Sequence, residues 1–436
     1  MRSGSASRKA RAYAGVVALT GMLLLAACSA SGGGASSQIP LLTGLGSYSD
    51  SAASTPVVAV SSPTGQFAFV YDNQIWIKPN NTGQPHQLTK LPIATSAFVA
   101  WGPLVWSPDG SHIAFVLLRD PTGGHPARGT GPLYIVDTAS GEVLESSGTA
   151  NLAGHAYAWY GNLALFYAEG SGILFDDLSS LPDLRPWQIV SPQTGPDTSS
   201  GTPNSYIYTD IAVFNSSILA TQIGVTAPGA TGAAGRAHIL QFFLNVGPND
   251  YTQGNMNIGP DGNFPYGNSV ADLGAAYVDG TGNIRAGSWR LAPNGALVLQ
   301  RITAVDGKSE TGSAQVCYNA SLGNYCDQSL FAQQSKFPLN SPPQFAFSPN
   351  GNAVAMTGAA LAIEQTDGTH LTSNTPGAWQ TLAWSLDGKV VVATQLVSAT
   401  PDSDGVVRYV TNVELYTGNG KGSVLIAGAQ GFTWGP

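Results

Sequence analysis

The chain has 436 residues, with 18 Lys and Arg against 26 Asp and Glu, and only 10% of its residues are charged. An average soluble protein carries roughly 25%. With 53 Gly and 28 Pro, turn formers and neutral polar residues stand where a helical bundle would place Glu, Lys and Arg; this excludes a bundle and fits an all-β, turn-rich chain.

The chain opens on Arg2, Arg8, Lys9 and Arg11, followed by the apolar run AYAGVVALTGMLLLAA. A basic flank, a short apolar segment and small residues at its end read as a secretory signal over residues 1–27. The run is also short of the about 20 residues a membrane span needs. Its ending Leu25-Ala26-Ala27-Cys28 resembles the lipobox of bacterial lipoproteins, which implies cleavage before Cys28 and lipid attachment to it. An uncleaved N-terminal anchor is the alternative. Both readings place the body outside the cytoplasm, on the outer face of the cell membrane, or in the periplasm or on an outer membrane where one exists. Loss of residues 1–27 removes four basic residues and no acidic ones, leaving a net charge of −12. That balance argues against a nucleic acid partner and against docking of the body on anionic lipid.

Residues 28–55, SASGGGASSQIPLLTGLGSYSDSAAST after Cys28, read as a flexible Gly/Ser-rich tether, and residues 56–436 as the folded body.

Within the body one pattern recurs: VSSPTGQFAFV (60–70), VWSPDGSHIAFV (105–116), RLAPNGALVLQ (290–300), AFSPNGNAVAM (346–356) and AWSLDGKVVVA (383–393). YAWYGNLALFYA (157–168) and YTDIAVFNSSILATQI (208–223) are weaker relatives. The turns fall near residues 65, 110, 161, 216, 295, 351 and 388. A supersecondary unit repeating every 40–50 residues or so marks a propeller or a similar array. In Ser-Pro-Asp-Gly, Pro108 presets φ for a type I turn and Gly110 supplies the left-handed residue that closes the loop. Gly65, Gly110, Gly295, Gly351 and Gly388 hold that last position and are structural turn residues.

After each turn comes a short, continuous apolar run, such as Phe67 to Val70, Ile113 to Val116 or Val390 to Ala393. Such runs predict strands covered on both faces. Further strands follow at Gln74 to Ile77 and Pro132 to Asp137, and a fourth segment after the next turn completes a four-stranded blade. The pattern resembles the TolB-like β-propeller repeat, a relative of the WD repeat, over residues 56 to 428. The expected fold is therefore all-β, a single β-propeller of four-stranded blades, with seven blades favoured and six or eight open. The resemblance implies protein binding through a face of the disc. The final Gly431-Phe432-Thr433-Trp434-Gly435-Pro436 is similar to residues 98–103 and reads as a strand that seals the ring.

Cys317 and Cys326 enclose a hairpin-like CYNASLGNYC, and in an oxidising compartment they are expected to form a local disulfide. There is no G-x-S-x-G, phosphate loop or H-E-x-x-H, and the six histidines are scattered, so no catalytic residue, cofactor or metal is expected. Asp402-Ser403-Asp404-Gly405 lacks the later ligands of a calcium loop and reads as a turn. The strand before each turn lines the channel; its polar residues are His155, Asp210, Arg290, Gln344 and Gln380. Only one is a carboxylate, where a glycosidase normally needs two. The recurring Trp106, Trp159, Trp289, Phe347 and Trp384 read as wedges between blades, with sugar stacking as the competing role. Three functions stay open, in this order: a lipid-anchored, non-catalytic scaffold for a protein partner, a binder of cell-surface carbohydrate or a small ligand, and last a propeller enzyme with its catalytic groups on loops. A monomer is expected in each case.

Overall fold

The structure, a computed structural model, describes residues 55–58, 65–80, 83–93, 99–119, 130–151, 155–169, 172–180, 186–190, 205–225, 233–244, 268–278, 284–305, 309–317, 328–329, 335–338, 344–357, 361–365, 370–372, 378–401, 407–417 and 422–436. Cys28 with residues 1–54, Cys326, and Asp402 to Gly405 lie outside them. Cys317 ends a strand, and its side chain is not among those described.

The turns are built by more than Pro-Asp-Gly. Ser107 is fully buried. Its Oγ donates to Asp109 Oδ1 at 2.8 Å and accepts from the His112 N–H at 2.9 Å, while the Gly110 N–H donates to the Ser107 carbonyl at 3.0 Å. The same arrangement recurs around Ser348, Asn350 and Ala353, and around Ser385, Asp387 and Val390. The hydrogen bond from Ser385 is the main cause holding the Asp387 carboxyl below its usual range. Gly110 takes φ +73° and Gly351 φ +72°, where a side chain would cost about 1–2 kcal/mol.

Each turn launches an antiparallel meander, and the strands pair into six sheets. The first holds Phe67–Tyr71, Gln74–Lys78 and His86–Gln87, completed by Gln430–Trp434 from the far end of the chain. The second is built on His112–Arg119, Thr130–Asp137 and Val143–Asn151, with Val99–Trp101 and Val105–Trp106 both paired to its first long strand. Tyr157–Tyr160, Ala164–Glu169, Gly172–Asp177 and Pro186–Val190 make the third. The fifth runs from Phe345–Phe347 to His370–Thr372, and the sixth from Ala378–Trp384 to Gly422–Ala427.

The fourth sheet has ten strands and explains why six sheets stand where seven blades were favoured. One meander runs through Ser205–Phe214, Ser217–Val225, Ala233–Phe243 and Asn268–Val278. A second starts at Trp289–Leu291 and continues through Leu297–Val305 and Ser309–Cys317. They merge through a parallel pairing of Gly274 with Ile302. No α-helix occurs among the described residues, and Leu178–Ser180 forms a 3-10 turn.

The double-sided burial of the apolar runs has a packing cause. Ala114 and Val116 face a cluster with Leu165 and Tyr167 of the third sheet, whereas Ile113 and Phe115 face one with Ile75 and Ile77 of the first. Phe166 and Ile218 bind the third sheet to the fourth, Val298 and Phe345 the fourth to the fifth, and Ala355 and Val391 the fifth to the sixth. Phe67 and Leu415 return the sixth to the first. The inner strands repeat this circuit: Val105–Trp106 touches Tyr157–Tyr160, which touches Ser205–Phe214. On the other side Trp289–Leu291, Phe345–Phe347, Ala378–Trp384 and Gln430–Trp434 follow in order, and the last touches Val105–Trp106 again. This closed circuit of sheets is a β-propeller. The inner strand of the first sheet is Gln430–Trp434, and Val58, ahead of the first turn, bridges Ile426.

A buried carboxyl sits between the second and third sheets. Asp176 is fully buried, its Oδ1 accepts from Tyr167 Oη at 3.4 Å, and its Oδ2 has no hydrogen-bond partner among the described residues. Burial, with the Glu169 charge adding to it, pushes Asp176 from 3.8 up to about 6, against hydrogen bonds from Ser146 and Tyr167. Between about pH 4 and 6 the folded state therefore holds a proton on Asp176 that the unfolded chain releases, so this group's contribution to stability is fully present below about pH 4 and is lost as pH rises toward 6. Asp176→Asn is expected to stabilise the protein at pH 7 by about 2–3 kcal/mol, with the gain shrinking toward pH 4. Thermal melts of both proteins across that range check it; a pH-independent difference would remove the buried-acid explanation.

Candidate functional site

The inner strands of successive meanders converge on a cavity of about 330 Å³. Val105 and Trp106 come from the second sheet, Tyr157 and Trp159 from the third, and Asp210 to Val213 and Trp289 to Leu291 from the two meanders of the fourth. Three of the five polar residues read from the sequence, His155, Asp210 and Arg290, line it together. Gln344 joins them from the fifth sheet by accepting from Arg290 Nη2 at 3.2 Å. Gln380 lies at the irregularity between Trp379 and Thr381, and its side chain is outside the described set.

Local structure fixes each group. The His155 N–H donates to Asp210 Oδ1 at 3.3 Å, and the Ile211 N–H donates to the His155 carbonyl at 2.7 Å. This pins the start of the third meander to the first strand of the fourth sheet. Asp210 Oδ2 also accepts from Thr209 Oγ1 at 3.0 Å and Thr221 Oγ1 at 3.4 Å. Thr221 is itself held by Trp289 Nε1 at 2.6 Å. Pairing between Tyr208 and Ile211 is interrupted, so Thr209 and Asp210 sit at a bulge that re-aims their side chains.

Burial, and then the charge of Arg290, hold the His155 imidazole well below its usual range, so it is neutral at physiological pH. Burial also lowers Arg290 to about 10, opposed by the negative charge of Asp210. The guanidinium stays charged at neutral pH in a site that opposes its charge. Its Nη1 donates to the Trp289 carbonyl at 2.5 Å, and its buried Nε finds no acceptor among the described residues.

The tryptophans do two things at once. Trp159 Nε1 donates to the Val105 carbonyl at 3.0 Å and Trp384 Nε1 to the Ala346 carbonyl at 2.9 Å, each crossing to the preceding sheet. Trp106, Trp159 and Trp289 nevertheless present surface to the cavity. Tyr157 Oη, which donates to the Pro103 carbonyl, extends the same wall. Sequence reasoning placed the tryptophans as wedges and missed that wedge and cavity wall coincide. It also missed Thr221, whose position in a long apolar strand gives no signal of its own. Among the described residues no group of three or more His, Cys, Asp or Glu could hold a metal ion.

The fold and this site define the class: an all-β propeller with a ligand-sized, aromatic-walled cavity on its inner strands. The sequence matches no protein-family model, and no curated protein matches it. Several solved structures are similar in shape. A protein assigned as a 6-phosphogluconolactonase from Bacteroides fragilis is 12% identical with a TM-score of 0.48, over 87% of this chain and 99% of that one. One assigned as TolB from Agrobacterium tumefaciens is 10% identical with a TM-score of 0.34, over 85% and 92%. A quinonprotein alcohol dehydrogenase-like protein from Bacteroides thetaiotaomicron is 12% identical with a TM-score of 0.42, over 85% and 78%. Likenesses at this level carry no argument about what this chain binds.

Proposed function

We propose that the chain is a lipid-anchored, extracytoplasmic β-propeller that acts as a non-catalytic protein-binding scaffold and receives a segment of its partner in the inner-strand cavity. The observation that carries this reading is the cavity wall: Trp106, Tyr157, Trp159, Trp289, Val213 and Leu291 line it beside His155, Asp210 and Arg290. An aromatic, mostly apolar pocket with a few placed polar groups is the chemistry of an anchor site for a protruding side chain. Asp210 supports a binding role, because its oxygens are committed to His155, Thr209 and Thr221. The Leu25-Ala26-Ala27-Cys28 ending supports the lipid anchor. A tether over residues 28–55 would reach about 30 Å from the bilayer. The same aromatic faces favour the second reading, a carbohydrate or small polar ligand.

Affinity capture from detergent-solubilised membranes tests the proposal. The full chain is expected to recover one protein in stoichiometric amount, and Val213→Arg, which puts a second cation on the cavity wall, to lose it. Glycan recovered without protein would replace the scaffold with the second reading. In the same cells Cys28→Ser is expected to move the protein to the soluble fraction; retention in washed membranes would overturn the lipid anchor.

A further inference from the structure

Arg290 has hydrogen-bond donors that the described residues leave over. A guanidinium offers five N–H donors. Described protein groups take two of them, the Trp289 carbonyl and Gln344 Oε1, and the buried Nε–H has no acceptor. Asp210 is near enough to favour the charge, yet its carboxylate is held by the His155 N–H and two threonine hydroxyls. The remaining wall is neutral or apolar. His155 carries no charge to compete, and Trp106, Tyr157 and Trp159 are aromatic. A half-buried guanidinium that faces an aromatic cavity with unused N–H donors is best satisfied by an acceptor that a ligand brings in.

Three properties of the cavity narrow that anion. Its volume of about 330 Å³ is at the small end of ligand sites and takes one side chain or a chain terminus. The neighbouring Asp210 repels a doubly charged group more than a singly charged one, which ranks a phosphate monoester below a carboxylate. The planar fork of Arg290 matches a planar carboxylate, and the aromatic walls match an apolar body behind it.

We propose that the cavity is a carboxylate subsite, in which Arg290, positioned by Gln344, receives the carboxylate of a peptide segment while Trp106, Tyr157 and Trp159 enclose an apolar or aromatic neighbour. This rests on the scaffold reading and names the chemistry its partner must present. The carboxylate can be the C-terminus of the segment or an acidic side chain within it.

Calorimetric titration of the full chain with three probes decides this: N-acetyl-phenylalanine, its uncharged amide, and N-acetyl-Asp-Phe-amide. Saturable one-to-one binding of at least one acid is expected, with the amide roughly 10- to 100-fold weaker than the acid, the range for a hydrogen bond to a charged group. Preference for the first acid identifies a terminal carboxylate, and preference for the third an acidic side chain. Arg290→Gln is expected to bind acid and amide alike, and Arg290→Lys to recover part of the preference. The comparison of acid with amide on the unaltered protein needs no variant to fold. Equal binding of acid and amide, no binding of any probe up to millimolar concentration, or a preference that survives Arg290→Gln would each overturn the subsite. Equal binding leaves the scaffold standing. Acid-selective binding with no protein recovered from membranes removes the scaffold and leaves the subsite, for a free carboxylate ligand.

Discussion

A chain ending at Ala429 is expected to lose the folded ring altogether. Gln430–Trp434 is an inner strand of the first sheet, pairing Phe67 with Trp434 and Phe69 with Phe432. The Phe432 ring lies 5.0 Å from that of Phe67, and Trp434 meets Phe67 edge-on at 5.6 Å. The Gly435 N–H adds a bond to the Gln66 carbonyl at 2.8 Å. Losing one buried aromatic alone costs about 3–5 kcal/mol, and a whole domain is stable by only about 5–15 kcal/mol. The truncated chain would also bare the edge of Phe67–Tyr71, a strand buried along most of its length, which invites pairing with other chains. Circular dichroism and size-exclusion chromatography should show no cooperative melt and early aggregation. A truncated monomer melting within about 5 °C of the full chain would show that closure is not where the ring gets its stability.

The second large effect is expected at Gly274. This residue has φ +81°, and a Cβ there would stand 2.2 Å from the Ile302 carbonyl oxygen, its partner in the parallel pairing that merges the two meanders of the fourth sheet. The obstacle is backbone, which cannot swing away as a side chain can. Gly274→Ala combines the left-handed penalty of about 1–2 kcal/mol with about 1–3 kcal/mol of overpacking. Gly388→Ala is the comparison, because φ is +69° there but the nearest atom is 3.6 Å away in Pro349. Denaturant midpoints should place Gly274→Ala well below Gly388→Ala; equal losses would mean that the merged sheet yields easily.

The fold was legible where the sequence repeats a local rule. Pro-Asp-Gly followed by four apolar residues announces both a turn and a strand covered on two sides, and Ile113 to Val116 are indeed fully buried. Residues 431–436 could be read as the sealing strand because they echo residues 98–103. Long-range pairing was not legible. Nothing local to Gly274 or Ile302 says that two meanders merge there, and nothing local to Val58 says that it bridges Ile426. At the site, His155, Asp210 and Arg290 could be picked out because polar residues are rare in the strand before each turn. Their shared cavity required the ring geometry, since Asp210 and Arg290 are 80 positions apart in sequence. Ser107, Ser348 and Ser385 were overlooked for another reason. Serine before a turn looks like filler until its hydroxyl is seen bonding both ends of the loop.

The sharing of the first sheet between the two ends of the body also sets a condition on closure. Phe67 stands 367 positions ahead of Trp434. Until both are present in one place the first sheet is one strand short, and no amount of correct folding further along can complete it. The ring is thus obliged to finish where it began.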